Sequence, residues 1–235
     1  MSWTNIPPSS STGGGLTGSW LQKYYLLGRT RTGLTDDQIG YYYEDFQDTL
    51  RWTFVAVSPT IVTSLPGGVI QLSSGAGGAA IDSYTGNGTG YHTMAKLNKW
   101  AIAFRYRYTA PTNPPPAGQY AGAGFRVQNT ANFFFCGMHS TVSTTKFAAR
   151  WTSDGVSFGN HSHSTNLDNA WHTISAAFNG TTLTMDVDGV VDTTTTDVNR
   201  LSSSPAQGWL TGSPSGTQAI TMQFDKLFTM FEQAA

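Results

Sequence analysis

Apolar and polar residues alternate with a period of two through most of this chain. In Lys99–Thr109 the residues Trp100, Ile102, Phe104, Tyr106 and Tyr108 fall on one face. Ala101, Ala103, Arg105 and Arg107 fall on the other, the pattern of a strand with one buried side. Phe125 and Val127 oppose Arg126 and Gln128 in the same way, and Phe147, Ala149 and Trp151 oppose Lys146, Ala148 and Arg150. Ile174, Ala176 and Phe178 lead into Asn179-Gly180, which predicts a type I′ hairpin turn. Leu183, Met185 and Val187 follow, and Asp188-Gly189 marks the next turn. Asn132–Met138 is apolar on both faces and predicts a central strand covered on both sides. Ile220, Met222 and Phe224 alternate, and the phase changes near Lys226, which predicts a bulge. The reading gives roughly ten to thirteen short strands and no long helix, so two antiparallel sheets packed face to face are expected.

The first 40 residues break this pattern. Ile6–Gly15 is rich in Pro, Ser and Gly and cannot form a core. Trp20, Leu21, Tyr24, Tyr25, Leu26 and Leu27 are too apolar for a free linker. Thr35 is placed to cap one helical turn that starts with Asp36 and Asp37. We therefore expect an extended N-terminal arm, residues 1–40, ahead of a domain at 41–235. The arm docks either on its own domain or on a neighbouring subunit. Trp3, Trp20, Tyr24 and Tyr25 are its candidate interface residues, because large aromatic side chains fill subunit contacts.

Charge narrows the partners. Charged residues make up 11% of the chain and the formal net charge is -1, so the strongly basic footprint of a nucleic-acid binder is missing. A weakly charged surface repels copies of itself poorly, which suits packing against neighbours. No stretch is apolar enough to span a membrane as a helix, and no charged segment followed by an apolar run marks a secretory leader. Synthesis in a cytoplasm is expected, and the sequons at Asn87, Asn160 and Asn179 then carry no weight. The single cysteine, Cys136, excludes an internal disulfide and reads as a small buried hydrophobe.

Candidate chemistry is sparse. Arg105, Arg107, Arg126 and Arg150, with Lys146, all point away from the predicted core. They would form a ligand-binding face for an acidic glycan or an acidic partner surface if their strands are neighbours; ordinary solvated strand positions are the preferred reading. His161 and His163 have the spacing of two ligands on one strand face, but a polar loop with solvated histidines is the expected reading, without a metal. The Gly-rich segment 73–90 lacks the Lys-Ser/Thr ending of a phosphate loop. No cofactor is expected.

The segment Asp168–Val191, with Trp171-His172 opening a strand and Asp188-Gly189 closing the following hairpin, resembles the concanavalin A-like lectin/glucanase superfamily, including its laminin-G-like domains. Tyr41–Phe46 resembles that superfamily's first strand, which pairs with the final one, here Ile220–Met230. The resemblance covers Tyr41–Phe231 and implies a two-sheet jelly roll, so the expected fold is an all-β sandwich with an N-terminal arm. The superfamily holds lectins, glycosidases, lyases and modules without a known ligand. Its glucanase branch carries a Glu-x-Asp-x-Glu strand. The nearest pair here is Asp186 and Asp188, and Glu44, Asp45 and Asp48 read as a strand end. A lyase would need a basic residue, a Tyr and a His grouped on one sheet. Tyr91 and His92 are adjacent, but the usual lyase motifs are missing. We therefore expect no enzyme activity. Phage virions commonly carry domains of this look, so the expected function is a structural virion protein, a capsid decoration protein partnered by other capsid subunits and copies of itself. The alternative is a carbohydrate-binding module for glycans, and a polysaccharide-cleaving enzyme ranks third.

Overall fold

The alternating segments pair as two antiparallel sheets, as their one-sided patterns require. The computed structural model describes residues 16–46, 52–55, 60–62, 68–75, 81–85, 96–110, 115–127, 132–152, 154–195, 206–214 and 218–232. Trp3, Asp48, Asn87, Tyr91 and His92 lie outside these.

The first sheet runs β13 (Val190–Thr195), β12 (Thr182–Val187), β11 (His172–Phe178), β6 (Lys96–Thr109), β15 (Ile220–Glu232), β4 (Val69–Ser74) and β3 (Thr60–Val62). β1 (Ile39–Glu44) pairs with the second half of β15, as the superfamily resemblance implied, with Tyr41 opposite Met230. The second sheet runs β10 (Gly159–Asn166), β9 (Lys146–Thr152), β8 (Phe133–His139), β7 (Tyr120–Val127), β14 (Ala206–Ser213), β5 (Ile81–Thr85) and β2 (Trp52–Val55).

The core lies between the sheets, where the predicted inward faces meet. Trp100 of β6 reaches across to the second sheet, with ring centroids 5.3 Å from Phe125 and 4.4 Å from Phe134. The Tyr106 hydroxyl accepts the Met138 N–H at 3.1 Å, which satisfies a polar group that burial would otherwise strand. Cys136 is fully buried in this layer, and burial pushes its thiol well above the ordinary range. The phase change in β15 is a register shift between Phe224 and Lys226. It leaves Asp225 nearly buried, paired with Arg105 on β6 and 3.6 Å from Lys226.

One local expectation needs correction. Asn179-Gly180 is not a two-residue I′ turn. The paired residues Phe178 and Leu183 leave a four-residue loop, and Asn179 Oδ1 accepts the N–H groups of Thr181 (3.0 Å) and Thr182 (2.9 Å). Asn therefore serves here through its side chain rather than by adopting positive φ. The two-residue turn is the next one: Val187 pairs with Val190, and Asp188 and Gly189 have φ of 52° and 92°.

The larger correction is α1, a 17-residue helix over Leu16–Thr32 where no long helix was expected. It lies on the outer face of the first sheet. Tyr24, Tyr25 and Leu34 pack with Ala101, Ala103, Ala177, Phe228 and Met230, and Trp20, Leu21 and Leu27 are partly buried at the margin. Small residues make the approach close: a Cβ on Gly28 would sit 3.1 Å from both the Ala101 Cβ and the Met230 Sδ. Gly33 ends the helix at φ +69°, its N–H donated to Arg29 O at 2.9 Å. Arg29 and Tyr25 then both bind Asp36, at 2.9 and 3.0 Å, holding the 3-10 turn Asp36–Gln38 that follows Thr35. The candidate interface residues Trp20, Tyr24 and Tyr25 thus cover the chain's own sheet, so Tyr24 and Tyr25 are not available to a neighbouring subunit.

Candidate functional site: an aromatic groove

The outer face of the second sheet bears no helix among the described residues. Across β14, β7, β8 and β9 the register sets side chains in rows. One row reads Trp209, Gly124, Phe135, Arg150; the next reads Thr211, Gly122, Gly137, Ala148; in the third, Tyr120 stands beside His139. A row of small residues therefore runs between two rows of rings. Phe135 leans into that space, its Cζ 2.9 Å from where a Gly122 Cβ would lie. A Cβ on Gly124 would stand 1.9 Å from the Phe134 carbonyl oxygen, a contact only a backbone shift could relieve. Gly124→Ala is expected to cost about 1–3 kcal/mol in urea unfolding. An unchanged midpoint would mean the sheet yields there freely.

These rows frame a groove of about 280 Å³, near the lower end of small-molecule sites, which begins at roughly 300 Å³. Phe135, His139 and Trp209 form its nearly buried floor, and Tyr120, Phe133, Arg150 and Phe158 its more exposed walls. Tyr120 stacks on His139 with centroids 5.5 Å apart and planes 17° apart, and Phe135 meets both edge-on. Phe133 packs on Trp209 (5.4 Å) and Phe158 (6.4 Å). The Arg150 guanidinium lies 4.0 Å from the Phe158 ring centroid, a cation–π contact.

The turn that presents Phe158 is built by Asp154. Its Oδ1 accepts the Ser157 N–H (2.7 Å) and the Val156 N–H (2.9 Å), and those bonds hold the carboxyl at about 2. His139 goes the other way for a base. Burial, then the Arg150 charge, pull it down to about 4, so it is neutral near pH 7. The unfolded chain binds a proton on this residue between about pH 6.5 and 4 that the folded chain does not. His139 therefore removes stability as pH falls through that window. Flattening of the stability–pH curve there by His139→Gln checks this, and an unaltered curve would refute it.

Among the sequence candidates whose side chains are described, one reaches the groove. Arg105 and Arg107 sit on β6 in the first sheet, while Arg126 and Arg150 sit on β7 and β9 in the second, so the candidate shared basic face does not form. The guanidinium carbons of Arg105 and Arg107 lie 5.0 and 5.3 Å from the Trp171 ring centroid, and the two side chains are bound by Asp225 and Gln223. Arg126 lies opposite Phe133 in register; its side chain is outside what the structure describes. Of the three whose side chains are described, Arg150 lines the groove.

The His161/His163 segment is strand β10, not a loop. His163 is buried, its Nε2 3.1 Å from Val190 O and its Nδ1 accepting the Thr165 N–H, so both ring nitrogens are engaged. His172 is bracketed by Asp188 (2.6 Å) and Asp168 (2.7 Å) and pins the entrance of β11. Glu44 accepts the Tyr42 hydroxyl and the N–H groups of Asp45 and Phe46, as a strand-end cap. Asp186 is bound by Arg31. No cluster of three metal-ligating side chains occurs among the described residues.

The groove itself was not anticipated. Phe133, Phe135 and His139 alternate outward on a strand read as covered on both sides, and Gly122 and Gly124 alternate on its neighbour. That pairing was the available signal.

No family model matches the chain, and no curated protein matches its sequence. Solved structures similar to it include the botulinum neurotoxin type C structure described with cell entry dependent on two ganglioside molecules. That match has a TM-score of 0.54 at 12% identity, over 78% of this chain and 43% of the other. The binding domain of botulinum neurotoxin DC in complex with SialylT gives 0.53 at 11%, over 83% and 44%. A carbohydrate esterase from the Shiga toxin-encoding bacteriophage phi24B gives 0.50 at 15%, over 77% and 90%. The chain spans less than half the length of the neurotoxin chains it matches. At these identities the likeness is one of fold: a β-sandwich.

Proposed function

We propose that the chain is a carbohydrate-binding β-sandwich that holds a sugar in the aromatic groove without cleaving it. The observation that carries this is the groove's composition. The aromatic side chains of Tyr120, Phe133 and Phe158 line the groove with the polar groups of His139 and Arg150, the mix of apolar walls and few polar groups that small-ligand sites use. A sugar ring is amphipathic in the same way, with C–H faces to lie on rings and hydroxyls to reach polar atoms. The described lining holds no carboxylate, so the paired acids that glycoside hydrolysis requires are not supplied from it. The fold neighbours include proteins whose structures are described with gangliosides or as a carbohydrate esterase, which supports the ligand class by analogy of fold only.

A glycan array followed by calorimetry tests the proposal. Aromatic contacts contribute about 0.5–1.5 kcal/mol each, so Tyr120→Ala with Phe158→Ala should weaken binding about tenfold. Binding that survives the double substitution unchanged would place the sugar elsewhere, and reducing-sugar release from any array ligand would overturn the non-enzymatic reading. The same groove would serve a capsid decoration protein that adheres to glycans. Mass spectrometry of purified virions tests that setting separately.

A further inference from the structure

We infer that the sugar held in this groove carries a carboxylate, and that Arg150 is the residue that pairs with it. This rests on the glycan-binding reading and adds the ligand's charge.

The argument begins with what the other arginines do. Of those whose side chains are described, Arg29 pairs with Asp36, Arg31 with Asp186 and Arg105 with Asp225, and Arg107 is bound by Gln223. Arg150 has no acidic or amide partner among the described residues. Among the described residues its Nε is buried without a hydrogen-bond partner, and its guanidinium lies over the Phe158 ring. Asp154, the carboxylate of the neighbouring turn, spends its Oδ1 on the Val156 and Ser157 N–H groups and on Thr152. His139, the other basic group of the described lining, is held neutral and adds no second positive charge for an anionic ligand.

A partly buried cation without a counter-ion is costly, and an arginine keeps its charge even when burial pulls its pKa down. A ligand that brings the missing anion recovers that cost on binding. The planar guanidinium matches a carboxylate with two parallel N–H···O bonds. One cation also balances one negative charge, where a phosphate dianion would leave an excess in a described lining that is otherwise neutral. The rings beside Arg150 then take the sugar face that bears the acid. Sialic acids and uronic acids share this chemistry.

The test uses the full chain and oligosaccharide pairs that differ only in the acid: lactose against sialyllactose, and a glucuronate disaccharide against its methyl ester. A charge-assisted contact of this kind is expected to favour the acidic member of at least one pair about ten- to a hundredfold. Arg150→Gln should abolish that preference, lowering affinity for the acidic member of the pair about ten- to a hundredfold more than for the neutral one. Which pair shows the preference distinguishes sialate from uronate. Equal binding of acidic and neutral members overturns the inference and leaves the groove reading intact, provided Tyr120→Ala with Phe158→Ala still weakens both. A preference for a sulfated analogue over the carboxylated one also overturns it. Binding of neither member defeats the groove reading and this inference together. The paired comparison needs no variant, so it decides the matter even if Arg150→Gln folds poorly.

Discussion

Removing residues 1–34 is expected to abolish cooperative unfolding of the sandwich rather than release a smaller stable domain. The deletion takes away α1 and Leu34, and with them the cover over Ala101, Ala103, Ala177, Phe228 and Met230 on the outer face of the first sheet. Tyr24, Tyr25 and Leu34 are 6%, 2% and 3% exposed, so nearly the whole apolar surface of each is withdrawn from water. At about 1.5–3 kcal/mol per buried side chain, three such residues approach the roughly 5–15 kcal/mol net stability of an ordinary domain. Trp20, Leu21 and Leu27 add to this at the margin. The exposed sheet face would also be a contiguous apolar patch of the kind that drives association. Urea unfolding and dye binding by the truncated chain check the prediction. A truncated chain with a sharp transition at the parent midpoint would make α1 an accessory.

That expectation differs from the one the sequence invited, in which the arm is separable at residue 40, and the reason is physical. The strands were legible because each carries its own evidence. The two faces of Lys99–Thr109 differ in polarity, and the structure buries Trp100, Ile102, Phe104, Tyr106 and Tyr108 as that difference requires. The bulge in β15 was legible for the same reason, since the phase change is written within one strand. α1 carries weak local evidence. Gly18, Gly28 and the threonines lower its helix propensity, and Gly28 is present for close approach to Ala101 and Met230, a contact with residues far away in sequence. The groove was hidden for a related reason. Its rows join β14, β7, β8 and β9, so Trp209 and Arg150 share a face only once the register is known. Arg150 could be named from alternation along its own strand. That it stands beside Phe158 and His139, while Arg105 and Arg107 belong to the opposite sheet, depends on pairing that no single strand records.

The second large effect is expected at the ion pair that fastens the end of α1 to β12. Arg31 Nη2 donates to Asp186 Oδ2 at 2.8 Å, with side chains only 12% and 9% exposed, and Arg31 Nη1 donates to Ser175 Oγ at 2.9 Å. Asp186 Oδ1 also accepts the Gly189 N–H at 2.9 Å, so the same carboxylate braces the Asp188-Gly189 turn. Removing one member leaves the other charged and shielded from water. Arg31→Met and Asp186→Leu are each expected to lose about 3–5 kcal/mol, the cost typical of an uncompensated buried charge. Arg31→Met with Asp186→Leu removes both charges and adds apolar contact beneath the helix, so it should lose less than either single change. The sign of that coupling separates two origins of the loss. Losses that simply add would mean that each residue contributes through its own hydrogen bonds, Arg31 to Ser175 and Asp186 to Gly189. A double variant more stable than both singles would mean that desolvation of a lone charge dominates, and that the pair serves to fix where α1 ends on the sheet more than to stabilise it.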